Sequence, residues 1–376
     1  MVAEWIEFID VDEVTVQFYK SLWRNHIGPK WGSRPIGATR HVQVETWLKG
    51  LRHGTEETGP PGERRARPYS VRTVEGIRKM MALMLDDAVD EELIARNPLK
   101  GRKKTRGRRV DRRQPSTRQK IAATRWRCCR SRSTPASCGA RGGFVHVITA
   151  AYTGMRFGEL AALQRHNCRA FSRVPLIRVD DRKGNLKEVG GRLVLGPPKG
   201  GIGRDILLPP FLAAMLLELM RQTGTEHVFT TPQGKLLRRN TYHRDLWSKA
   251  AHGFTRSPSK RYKPLELAPV LPGFEFRGLR LTHNVWMTED GIPEVVRANR
   301  LGHAMSDEMQ QTYSVVSAAM EDRLLAGLQH RWETSVKEWA ETQPLELVTQ
   351  FCPISVANDA RGPAADGGDR ASDQAV

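Results

Sequence analysis

Residues 100 to 142 carry sixteen lysines and arginines against a single acid, Asp111. Few large apolar residues interrupt this run, and they follow neither a helical nor a strand period. Such a stretch cannot bury enough apolar surface to offset the entropy lost on ordering. A core must therefore form on either side of it, and the chain reads as two globular parts joined by a basic linker. The run also holds +15 of the net charge of +19, leaving the rest close to balance. An excess of this size points to a polyanionic partner such as nucleic acid, although a solvated basic linker would look the same.

Before the linker, apolar residues recur at helical spacing. Residues 11–51 read as helical: Val16, Tyr19, Leu22 and Trp23 define a first helix, which Ile27-Gly28-Pro29 should stop, and Val42, Val44, Trp47, Leu48 and Leu51 define a second. Gly54–Pro68 reads as a loop. Ser70–Ala95 predicts a long helix with Val74, Ile77, Met81, Met84, Leu85, Ala88 and Leu93 as its stripe, closed by Asn97-Pro98. The expected domains are a helical unit over 1–98, the linker over 99–142, a second globular unit over 143–340, and a disordered tail over 341–376.

The second unit mixes periods. Val145, Ile148, Ala151 and Tyr152 form a helical face ending at a Thr153-Gly154 turn, and a helix bearing Glu159, Leu160 and Leu163 follows. Leu176–Val179, Leu193–Gly196 and Asp205–Leu208 read as strands, with turns at Lys183-Gly184-Asn185 and Lys199-Gly200-Gly201. Helices are expected again at Phe211–Arg221, Tyr242–Ala251, Gly278–Asp290 and Val315–Trp339.

Other function classes find little support. The longest apolar runs, Val145–Met155 and Phe211–Met220, fall short of the about 20 residues a bilayer requires. The opening Met-Val-Ala-Glu-Trp lacks a signal-peptide pattern, so a cytoplasmic, nucleoid-associated protein is expected. Cys128, Cys129, Cys138, Cys168 and Cys352 are odd in number and scattered, which suits free thiols better than disulfides or a zinc site.

Four short segments carry chemistry: Thr153-Gly154-Met155-Arg156-Phe157-Gly158-Glu159-Leu160, Pro198-Lys199-Gly200-Gly201, Arg277-Gly278-Leu279-Arg280-Leu281-Thr282-His283, and Leu301-Gly302-His303 followed ten residues later by Tyr313. Arginine suits a phosphate because its planar fork donates paired hydrogen bonds and stays charged. Taken singly, each residue has a plainer reading: Arg156 and Arg280 as surface arginines, Lys199 as a turn lysine with Lys183 and Lys187 as competitors, Glu159 as a helix-surface acid, and Tyr313 as a half-buried aromatic. Four motifs in this order at compatible spacing are far more specific than any one.

The combination resembles the tyrosine recombinase (phage integrase) family, over about residues 144–335. Residues before 98 resemble its N-terminal core-binding (SAM-like) domain, in segments such as Tyr19–Gly32 and His41–Leu51. The resemblance implies a mainly α fold with a small β-sheet. It implies a site-specific recombinase that cuts and rejoins double-stranded DNA through a 3′-phosphotyrosyl intermediate, without metal, cofactor or ATP, to integrate or excise a phage or other mobile element. By the same resemblance Tyr313 is the nucleophile and Arg156 and Arg280 hold the phosphate. Lys199 protonates the leaving oxygen, His303 hydrogen-bonds the phosphate or assists proton transfer, and Glu159 orients the site. A homotetramer on paired DNA sites is implied, with room for an accessory DNA-bending or directionality protein, and Val315–Trp339 is the candidate for a helix donated between neighbours. A type IB topoisomerase-like enzyme and a catalytically impaired, DNA-binding relic are the competing readings.

Two departures stand out. Arg277 replaces the histidine of the family's H-x-x-R motif; it can still donate to phosphate but cannot act as a base near neutral pH. His283, three residues past Arg280, is assigned to the following helix and not to the missing role. Pro115–Gly142 lacks the amphipathic helix expected there, and its Arg, Ser, Cys, Pro and Thr content is that of a GC-rich gene read in the wrong frame. A compensated pair of frameshifts explains this, and resequencing the gene tests it.

Overall fold

The computed structural model describes residues 2–59, 62–63, 65–100, 140–258, 264–303 and 316–340. Tyr313, the proposed frameshifted stretch up to residue 139 and the C-terminal tail lie outside them. The chain divides into two compact units: of the described residues, one holds 2–100 and 188–192, the other 140–187 and 193–340.

The first unit is helical, with α1 (Val2–Phe8), α2 (Glu13–Leu22), α3 (His41–His53) and α4 (Val71–Asp90). Asp12 caps α2 by accepting from the backbone N–H groups of Val14 and Thr15, and Ser70 caps α4 by accepting from that of Thr73. Gly54, at φ 72°, ends α3 in the left-handed conformation that glycine adopts without strain. The core joins Leu22, Ile27, Trp31, Val44, Trp47, Leu48, Leu51, Val74, Ile77, Met80, Met81 and Leu85. Asn97 ties the chain to α4, its amide donating to the Ala82 carbonyl at 2.8 Å and to Asp86 at 2.7 Å.

Several expectations are corrected in this unit. Gly28-Pro29 does not stop a helix: a π turn, Trp23–Ile27, runs straight into the short helix Gly28–Trp31. The π turn, in which the Gly28 N–H donates to the Trp23 carbonyl, shifts the hydrogen-bond register just ahead of Pro29, the residue with no N–H to donate. The loop Gly54–Pro68 contains a hairpin, β1 (Glu57–Thr58) against β2 (Arg65–Ala66). Helix α4 stops at Asp90, where Glu92 takes φ 59°, so Leu93 falls off the stripe and is exposed; Met80, outside the expected stripe, is fully buried.

The second unit is built around α5 (Ala140–Thr153), whose residues from 142 onward are buried without a break. These residues are mostly apolar, and His146, Thr149 and Thr153 are buried with them. The helix starts at Ala140, within the stretch read above as lacking a helix. A short helix, α6 (Phe157–Ala161), follows. Strands β3 (Cys168–Arg169), β4 (Leu176–Val179) and β7 (Arg204–Leu207) form an antiparallel sheet in the order β3-β4-β7. Between β4 and β7, β5 (Asn185–Val189) pairs with β6 (Arg192–Gly196) in a separate ribbon. Strand β5 begins at Asn185, the last residue of the turn expected at Lys183-Gly184-Asn185.

The helices α7 (Pro210–Gln222), α8 (Gly278–Glu289), α9 (Glu294–Leu301) and α10 (Ala318–Ala340) pack with α5 in one core. A helical run from Arg239 to His252, with a π turn at His243–Trp247, and a hairpin of β8 (Phe254–Arg256) with β9 (Leu265–Leu267) complete the unit. Helix α9 and this hairpin were not anticipated. Within this single chain helix α10 packs on its own unit: Trp332 stacks on Phe211 with ring centroids 4.3 Å apart, and Arg331 pairs with Asp290.

Candidate functional site

The site is assembled from two chain reversals and one helix of the second unit. The first ends α5. Gly154 takes φ 66°, and a Cβ there would lie 2.6 Å from Leu301 Cδ2 and 2.9 Å from His283 Cδ2. Only glycine allows both the turn and this approach. The reversal places Arg156 at the N-cap of α6, and Glu159 reaches back to it. The Glu159 carboxylate accepts from the Arg156 backbone N–H at 2.9 Å and from its guanidinium at 2.8 Å.

Glu159 is 1 % exposed, and its other partner is Arg204 on β7, whose guanidinium donates to it at 2.8 and 3.3 Å. Burial alone would raise the Glu159 carboxyl, but the hydrogen bonds and charge of Arg204, with those of Arg156, hold it below the ordinary carboxylate range. Glu159 is therefore an anion clamped between two cations.

The second reversal ends α9 at Gly302, with φ 62°, and presents His303. A Cβ on Gly302 would sit 2.9 Å from Arg204 Nη1, so Arg204 passes under the turn where only glycine leaves room. The third element is α8, which carries Arg280. Its Nη1 donates to the Gly154 carbonyl at 2.7 Å, and its Nη2 donates to the Leu301 carbonyl and, at 2.9 Å, to His303 Nε2. Arg280 thus stitches the first reversal to the second.

Because guanidinium only donates, His303 Nε2 accepts, and the proton of the neutral ring sits on Nδ1. Burial and the charges of Arg280, Arg156 and Arg204 lower the His303 imidazole from its ordinary value. Burial, then Arg156, pull the Arg280 guanidinium down to about 10, still charged at neutral pH. These mutual effects put Arg156, Arg204, Arg280 and His303 in one electropositive cluster with Glu159 as its only anion among the described residues. Three of the five Arg280 N–H groups are engaged, and two make no described hydrogen bond. Arg156 is partly exposed, and among the described residues its guanidinium makes one hydrogen bond, from Nη1 to Glu159. Both arginines can accept a further oxyanion.

Of the residues proposed from sequence, Arg156, Glu159, Arg280 and His303 come together. Lys199 is exposed on the connection from β6 to β7, in a turn closed by Gly201 N–H donating to the Pro198 carbonyl at 2.9 Å. No described hydrogen bond joins it to the cluster. Arg277 is exposed at the N-cap of α8, and its side chain makes no described hydrogen bond. Tyr313 lies outside the described residues. His283 is a member of α8, fully buried and turned onto Arg300.

Sequence reasoning missed Arg204 and Arg300. Their signal was present: Arg204 alternates with buried Ile206 along β7, and Arg300 stands one turn from buried Val296 on α9. A cation at an inward register position is costly enough to ask what it binds. Among the described residues no group of histidine, cysteine and acid side chains could hold a metal, and no helix is long and apolar enough to cross a membrane. The buried Cys168 thiol is pushed up to about 12 by burial, so it is inert as a nucleophile.

No protein-family model and no curated protein matches this sequence. Solved structures do match by fold. One is the integrase of transposon Tn1549 in complex with a circular intermediate DNA, at TM-score 0.58 and 13% identity, over 85% of this chain and 96% of that one. Another is a lambda integrase dimer bound to a COC' core site, at TM-score 0.54 and 14% identity, over 84% and 98%. A lambda integrase tetramer bound to a Holliday junction matches at TM-score 0.50 and 16% identity, over 83% and 74%. These are tyrosine recombinases, and the mainly α architecture with small sheets described above is their fold.

Proposed function

We propose that this chain, built on the tyrosine-recombinase fold, is a site-specific DNA recombinase that cuts and rejoins strands through a phosphotyrosine at Tyr313. The observation that carries the reading is the cluster itself. Arg156 and Arg280, more than a hundred residues apart in sequence, are held on one electropositive spot with His303 hydrogen-bonded to Arg280. The DNA-bound state of the structural relatives supports a duplex as the substrate.

In this reading the scissile phosphate docks its non-bridging oxygens on the unengaged N–H groups of Arg156 and Arg280. Charge that builds on those oxygens in the transition state meets cations already fixed in place, so little reorganisation is needed. Tyr313 gives up its phenolic proton to solvent and attacks phosphorus, the bond to the 5′-oxygen breaks, and a 3′-phosphotyrosyl ester forms; reversal by another strand's 5′-hydroxyl restores the backbone. Lys199 gives its proton to the leaving 5′-oxygen, its stem reaching in from the glycine-rich turn. Arg277 contributes a further cation, His303 hydrogen-bonds the phosphate, and Glu159 keeps Arg156 aimed. Tetramer assembly on two paired sites, integration or excision of a mobile element, action at the nucleoid and the assistance of a DNA-bending or directionality protein complete the proposal.

The test is incubation of the purified chain with DNA flanking its own gene, nicked so that the cleaved strand diffuses away. Wild type should accumulate a protein–DNA adduct resistant to denaturant, and Tyr313→Phe should accumulate none while still binding DNA. A wild-type chain that binds the site but forms no adduct would leave only the DNA-binding relic.

A further inference from the structure

We propose that Arg300, the residue ahead of the Leu-Gly-His turn, is a positioning residue whose buried guanidinium locks together the backbone segments carrying Arg156, Arg204 and Arg280. The inference rests on the function proposed above for what the site does, but not for how it is held.

Arg300 is 5 % exposed. Its Nη2 donates to the Tyr152 carbonyl at 3.0 Å, just before the reversal that presents Arg156. Its Nη1 donates to the Leu207 carbonyl at 2.9 Å, at the end of the strand that carries Arg204. Its Nε donates to His283 Nε2 at 3.0 Å, one helical turn beyond Arg280 on α8. The carbonyl of Arg300 in turn accepts from Arg204 Nε at 2.9 Å. One side chain therefore bonds to α5, β7 and α8 from α9, and these four elements carry Arg156, Arg204, Arg280 and His303 at their ends.

The chemistry of the contact set argues for geometry over stability. All three acceptors are neutral, and no described carboxylate bonds to Arg300. A buried cation without an acid is expensive to desolvate, and an apolar side chain of similar length would fill the space more cheaply. What an apolar chain cannot do is fix three acceptors on three elements in one plane, which the rigid fork of guanidinium does. Burial and the Arg204 charge pull Arg300 down to about 9, with Glu321 opposing, so it remains a cation at neutral pH. His283, fully buried and held well below its ordinary value by burial and then by Arg300, stays neutral and presents Nε2 as the acceptor.

The experiment compares the full chain with Arg300→Met/His283→Leu, which removes the clamp without orphaning the imidazole, and with Arg300→Lys, which keeps the charge but not the fork. Amide hydrogen exchange is followed in residues 152–160 and 298–303, with 210–222 as internal control. Cleavage is followed in single turnover at saturating DNA, and DNA affinity is measured separately. In both variants exchange in the two site segments should rise by about 10-fold or more while the control segment is unchanged. Cleavage should slow by about 100-fold with Kd little altered, since misplacement of about 1 Å suffices for such a loss. Wild-type exchange at the site in either folded variant, or an unchanged cleavage rate, overturns the proposal. Should the double variant fail to fold, Arg300→Lys decides it by the same exchange readout. A wild-type chain that makes no adduct on any DNA sinks the functional reading alone, and the exchange result still judges the clamp.

Discussion

At the residue scale, the buried ion pairs set how the cluster responds to change. Glu159 is satisfied only while both Arg156 and Arg204 face it. Arg204→Met should destabilise the second unit by about 3–5 kcal/mol, because it leaves a buried carboxylate half-paired. Chemical denaturation of the variant measures this, and a loss below 1 kcal/mol would mean that water replaces the arginine. Since the folded Glu159 carboxyl is held low, its share of stability is present above the ordinary carboxylate range and is lost as pH falls through the folded value. His146 answers to a different window. It is fully buried among Phe157, Phe229, Tyr242 and Phe276, bonds Tyr242 Oη at 2.9 Å, and is held at about 3 by burial. Its unfolded form takes up a proton near pH 6.5 while the folded form does not. Stability therefore falls by up to about 1.4 kcal/mol per pH unit as pH drops from about 6.5 towards 3. His146→Phe should remove one proton's worth of slope from the acid limb, read from denaturation midpoints between pH 6.5 and 4.5. An unaltered slope would show that the buried imidazole protonates in place.

At the element scale, what the Thr153-Gly154 and Leu301-Gly302-His303 segments share is a left-handed glycine that turns the chain close against a neighbouring side chain. Gly302→Ala would force φ 62° on an alanine, costing roughly 1–2 kcal/mol, and would drive its Cβ against Arg204. It should lower the denaturation midpoint and also loosen Glu159, so DNA cleavage falls further than stability explains. Equal stability with wild-type cleavage would refute the close approach. This explains which parts were legible in advance. Thr153-Gly154, Leu-Gly-His and the spacing of Arg156, Glu159 and Arg280 are local, so their chemistry can be read along the chain. The partners of Arg300 are Tyr152, Leu207 and His283, each brought in from another element, and nothing near Arg300 in sequence announces them. The same holds for strand β5, whose buried residues Leu186 and Val189 lie three apart and so show no strand period, and for α4, whose end is set by one left-handed residue, Glu92, and not by the distant Asn97-Pro98.

At the scale of the whole molecule, the fold was legible because its organisation is compositional: two apolar, periodic regions around a basic run, with the second region mixing strand and helix periods. The basic run also makes a prediction that neither folded unit makes alone. With +15 of the net charge between residues 100 and 142, binding to a duplex should depend on salt far more steeply than the nearly balanced remainder could support. Each phosphate neutralised contributes a slope of about −0.9 in log K against log salt. Replacing Arg102, Lys103, Lys104, Arg106, Arg108 and Arg109 by glutamine should therefore flatten the slope by about 3 to 5 for a non-cognate duplex, as measured by anisotropy across a salt series. The substitutions leave Arg156, Arg204, Arg280 and His303 untouched, so on the proposed function the single-turnover cleavage rate at saturating DNA should be preserved while affinity at moderate salt falls. A slope that does not change would assign the phosphate contacts to the folded units, and the charge of the run to solvation alone.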